Sequence, residues 1–112
     1  VVVEGGVVMT WADEIDLEAF AHEAITVAGT SVGLTAATWQ NPTTGSAAKM
    51  ALIDCETANV RYRVDGTDPT ATTGHPLNAG SQMKVWGAAD LAVIEFIREG
   101  ATSATLRVTY YR

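Results

Sequence analysis

From residue 101 to residue 111 the side chains alternate without interruption. Ala104, Leu106, Val108 and Tyr110 fall on one side, and Thr105, Arg107, Thr109 and Tyr111 on the other. A period of two is the pleat of a β-strand with one buried face. The same constraint recurs along most of the chain. Residues 24–28 carry Ile25 and Val27 on one face, and residues 31–39 set Val32, Leu34 and Ala36 against polar or small neighbours. Residues 81–86 turn Met83 and Val85 inward. Residues 91–97 are apolar on both faces apart from Glu95, the pattern of a central strand covered on each side.

The longest strand signal, residues 49–64, changes face partway. Ile53 and Cys55 are odd-numbered, whereas Val60, Tyr62 and Val64 are even-numbered. The flip predicts a bulge or sheet-switching corner at Glu56-Thr57-Ala58. Asp65-Gly66 is a hairpin-type turn signal. Residues 40–46 and 67–80 read as loops, because Pro42, Gly45, Pro69, Gly74 and Pro76 punctuate them. About six strands in 90 residues, each bounded by turn residues, predict an all-β fold. The expected architecture is an antiparallel β-sandwich, jelly-roll or Greek-key-like, of about six to seven strands.

Charge divides the chain. Of its 112 residues, the first 23 hold Glu4, Asp13, Glu14, Asp16, Glu18 and Glu23 and no basic residue; the remainder is neutral, with seven acids and seven bases. Residues 1–23 are therefore expected to form an acidic N-terminal arm and residues 24–112 the sandwich domain. Thr10 followed by Asp13 and Glu14 resembles a helix start, and Trp11, Ile15 and Ala19 fit one helical face. Ile15, Leu17 and Ala19 also alternate as in a strand, so a short helix and an extended arm both remain open. Met9 is a candidate start, and whether residues 1–8 are native stays open at this point. Clustered acid argues against nucleic acid as the arm's partner, since phosphate binding needs Lys and Arg, and no nucleic-acid partner is expected. It suits either a basic docking surface or plain solvation. No apolar run approaches 18 residues, so no membrane-spanning helix is expected.

The sequence offers little for catalysis. Cys55 is the only cysteine, which excludes an internal disulfide, and it falls on the inward face of a strand, where a thiol behaves as a small hydrophobe. His22, Glu23 and His75 lack metal-ligand spacing. Asp65-Gly66-Thr67-Asp68 lacks the remaining ligands of a calcium loop. No glycine-rich phosphate loop opens a helix. No cofactor, no metal and no enzymatic activity are expected.

Candidate interface residues are easier to name. Arg61 and Arg63 project opposite the inward face of their strand. They serve either cross-strand ion pairs with Asp54, Glu56 or Glu95, or a basic face that receives the acidic arm (Asp13, Glu14, Asp16, Glu18) of a neighbouring subunit. Trp11, Trp39 and Trp86 are numerous for so short a chain; Trp39 before a loop and Trp86 at a strand end are placed as interface anchors or ligand platforms, with core or rim packing the competing role for each.

Residues 60–70 (VRYRVDGTDPT) and 73–77 (TGHPL) resemble a pattern in small tailed-phage proteins, as do residues 92–98 (AVIEFIR), 101–106 (ATSATL) and 108–111 (VTYY). The resemblance spans residue 24 to the C-terminus. It implies a β-sandwich virion accessory component, such as a capsid decoration (cement) protein, and brings no active site with it. The implied partners are its own copies and the major capsid or another virion protein, and the implied location is the virion. A carbohydrate- or small-ligand-binding module using Trp39 or Trp86 is the alternative.

Overall fold

A computed structural model describes residues 17–40 and 47–112. Eight strands form two antiparallel four-stranded sheets. The strands are β1 (Ala19–Val27), β2 (Val32–Gly33), β3 (Met50–Glu56), β4 (Val60–Arg63), β5 (His75–Leu77), β6 (Gln82–Trp86), β7 (Glu95–Arg98) and β8 (Ala104–Tyr111). Sheet A runs β1-β8-β3-β6 and sheet B runs β2-β7-β4-β5. First pairs with last, second with seventh, third with sixth and fourth with fifth. That nesting is a hairpin folded over on itself, the jelly-roll arrangement.

Inward residues of both sheets interlock. Ile53, Leu106, Val108 and Tyr110 from sheet A meet Val60, Leu77 and Phe96 from sheet B in one cluster. Most of these are fully buried, which at about 1.5–3 kcal/mol per large side chain is the main source of cohesion.

The expected corner at Glu56-Thr57-Ala58 is where the chain leaves sheet A for sheet B. Thr57 adopts φ 79, the left-handed conformation that a β-branched residue resists, and this residue reverses the facing of the chain. The Cys55 thiol donates to the Ala58 carbonyl at 3.1 Å across the bend.

Four elements differ from the sequence reading. Residues 31–39 are not one strand: only Val32–Gly33 pairs, and Ala36–Trp39 (α1) is a single helical turn. The chain is drawn out of the ladder at Thr35, whose N–H and hydroxyl both donate to Glu23. Residues 91–97 are likewise split. Ala88–Val93 (α2) is a short helix and the central strand β7 begins only at Glu95. Leu91 and Ile94, both buried, stand three apart, a helical spacing that a continuous apolar run conceals. Within the expected loop 67–80, His75–Leu77 pairs with β4 as an edge strand, where Pro76 is tolerated. Finally, β1 starts at Ala19, so residues 19–23 of the expected arm pair with β8.

Candidate binding face

On β3, Ala51, Ile53 and Cys55 face the core, so Met50, Leu52, Asp54 and Glu56 face outward from sheet A. Strand register extends these positions into rows across the sheet. Trp86, Met50, Tyr111 and Ala19 form the first row, and Lys84, Leu52, Thr109 and His22 the second. Gln82, Asp54, Arg107 and Ala24 form the third. The outer face therefore grades from apolar and aromatic at one end to polar and charged at the other.

Each part of the gradient has its own chemistry. Met50 is only 5% exposed although it points away from the core, and it stands between Trp86 and Tyr111. Next to Ala19, Phe20 packs partly buried against the core cluster, and its ring lies 4.5 Å beneath the Arg112 guanidinium. Residue 20 is displaced from the regular ladder by an irregularity between Ala19 and Ala21. At the polar end Gln82 donates to Asp54 at 2.8 Å and Arg107 pairs with Glu56 at 2.9 Å. Both members of the latter pair are half exposed, so it fixes side-chain positions more than it stabilises.

Trp86 is thus the expected interface residue that this face contains. Trp39 is not: it is 4% exposed, part of the core, because α1 turns its ring inward. Glu18 is exposed and lies 3.9 Å from Arg112, and its backbone exchanges hydrogen bonds with Arg112 to extend the β1–β8 ladder. Trp11, Asp13, Glu14 and Asp16 lie outside the described residues. Glu23 is no arm charge. It faces inward in phase with Ile25 and Val27, and its carboxylate accepts hydrogen bonds from the fully buried Tyr110 hydroxyl and from Thr35. The Tyr110 phenol is held far above its ordinary range, first by burial and then by the Glu23 hydrogen bond and charge.

Arg61 and Arg63 sit on β4 in sheet B and do not present an unpaired basic face. Arg61 reaches Glu99 at 3.4 Å and donates to the Ala71 and Gly74 carbonyls at 3.1 and 2.9 Å, which pins the loop of residues 64–74 to the sheet. Arg63 pairs with Asp65, and that pairing, with the Thr67 N–H behind it, lowers the Asp65 carboxyl below its ordinary value. Arg63, Val64, Asp65, Thr73, Gly74 and His75 edge an open cleft of about 390 Å³. Val64, expected to face the core, is exposed there because β4 ends at Arg63.

Cys55 is buried, and desolvation, reinforced by Glu56, raises its thiol above the ordinary value. That disfavours the thiolate a nucleophile requires. Among the described residues no group of three or more His, Cys, Asp or Glu side chains is placed to hold a metal ion. Sequence reasoning missed Met50 and Tyr111 as members of the binding face; the available signal was their outward phase relative to Ile53 and Val108. No family model, no curated protein and no solved structure matches this chain, so the phage resemblance rests on the quoted residues alone.

Proposed function

We propose that this chain is a non-enzymatic structural protein, an accessory component of a tailed-phage virion that stabilises the shell by binding it and its own copies. The observation that carries the reading is the outer face of sheet A. Its aromatic end, where the half-buried Trp86 and Tyr111 flank the buried Met50, passes without a break into a polar field, the composition of a protein-contact surface with an aromatic anchor. The acidic N-terminal segment joins the domain beside that end, next to Arg112. Repetition on a symmetric lattice lets modest contacts of this kind add by avidity.

Two measurements test the reading. Removal of residues 1–16, which leaves β1 intact, is expected to lower the assembled mass in light scattering; an unchanged mass refutes an assembly role for the segment. Capsid, portal or tail genes flanking this one support the virion class, and a metabolic operon overturns it. The second reading, a carbohydrate-binding module, keeps only Trp86, since Trp39 is buried. Specific binding on a glycan array, abolished by Trp86→Ala, would favour it.

A further inference from the structure

The sandwich has four edge strands, β1 and β6 in sheet A and β2 and β5 in sheet B. Exposed edges invite pairing with other chains, and proteins blunt them by shortness, proline, lysine or bulges. Three edges here follow that rule. β2 has two residues, β5 has three with Pro76 among them, and β6 carries Lys84 on its outward side. β1 does not. It is the longest strand at nine residues, it has no proline or lysine, and its one irregularity lies at its start. No described strand pairs with its outer side. Its exposed side chains, Ala19, His22, Ala24 and Thr26, include no lysine, arginine or carboxylate.

We propose that β1 is the seam by which two copies of this chain join edge to edge, antiparallel, with Ala24 on the two-fold axis. This rests on the self-association in the proposed function and specifies its surface. The register follows from the strand. A continuous sheet requires paired residues to point the same way, which limits the centre of pairing to a residue that faces itself. The regular run 21–27 overlaps itself fully when centred on Ala24. Ala21 then faces Val27 of the second copy, His22 faces Thr26, and Glu23 faces Ile25. No like charges oppose one another. Centring on Glu23 would set two carboxylates face to face, and centring on Ile25 shortens the overlap. Glu23, the one charge in the run, does not guard the edge, because its carboxylate is engaged by Tyr110 and Thr35 inside its own subunit. Such self-complementarity is what a two-fold interface requires.

The test is sedimentation velocity on the full chain and on Ala24→Lys and Ala24→Glu, with thermal unfolding to show that these exposed substitutions leave the fold intact. The wild type should dimerise or form multiples of a dimer. Each variant alone should weaken pairing about tenfold or more, because it sets like charges on the axis, and an equimolar mixture of the two should recover it. A wild type that stays monomeric, variants that dimerise as the wild type does, or a mixture that fails to recover would each overturn the seam. Association that survives both variants but is lost on removing residues 1–16 would assign the contact to the N-terminal segment instead. A monomer that still binds purified shells would overturn the seam and leave the proposed function standing.

Discussion

Replacing Tyr110 with Phe isolates the polar junction that closes one end of the sandwich. The ring is fully buried, and Phe preserves it, so no cavity opens and the change is confined to one hydroxyl. That hydroxyl donates to Glu23, which also accepts from the Thr35 N–H at 3.2 Å and the Thr35 hydroxyl at 2.6 Å. A hydrogen bond to a charged acceptor contributes about 1.5–3 kcal/mol. Glu23 keeps both Thr35 bonds in the variant and is only partly buried, so solvent recovers some of the loss and the lower half of that range applies. Tyr110→Phe should therefore cost about 1.5–2 kcal/mol, and at about 4 °C per kcal/mol for a chain of this size it should lower Tm by roughly 6–8 °C. Glu23→Gln retains an acceptor without its charge and should cost about half as much. Urea unfolding of both single variants and the double variant should reveal a coupling of about 1 kcal/mol. The reasoning fails if Tyr110→Phe lies within about 0.5 kcal/mol of wild type, the range of inert surface substitutions, or if the two changes simply add.

The same group sets an alkaline limit. The folded phenol binds its proton more tightly than the unfolded one, whose ordinary value is 10.0. Its contribution is fully present below that pH and is lost as pH rises beyond it. The wild type should lose about 1.4 kcal/mol per pH unit there relative to Tyr110→Phe. Parallel stability curves from pH 9 to pH 11 would contradict the assignment.

Two further outcomes follow from single residues. Cys55 should resist a thiol-specific reagent in the native protein and react stoichiometrically once guanidinium unfolds it, because it is buried with a raised thiol; rapid native labelling would show that the corner opens. Thr57→Gly should raise stability by about 1 kcal/mol in chemical denaturation by relieving a left-handed β-branched residue, and a loss instead would mean that the Thr57 side chain is needed at the corner.

Alternation alone identified most strands and even the corner, because each strand of a sandwich has one wet and one dry face. The face flip between Cys55 and Val60 encodes a change of sheet. What alternation cannot encode is partnership. A period of two is silent on which strand lies beside which, so the rows linking Trp86, Met50 and Tyr111 emerged only with the register. It also fails for short apolar runs, and residues 91–97 read as one strand although Leu91 and Ile94 are spaced for a helical turn. Glu23 illustrates a signal that was present but masked. Its odd phase with Ile25 and Val27 placed it inward, while its company of acidic residues suggested a solvated arm. Trp39 had two readings, an interface ring before a loop and a core ring, and α1 turns it inside.

The nesting of the strands has a consequence for how the molecule is made. β8, the last strand of the domain, is not an outer plank but stands between β1 and β3. As the chain grows, β1 has no neighbour to zip against until residues 104–111 appear. Folding must close a circuit between the two ends of the domain, a non-local step of the kind that slows all-β chains. A product cut short before Ala104 would lose the middle of sheet A and leave β1 unpaired, across a gap from the β3–β6 pair.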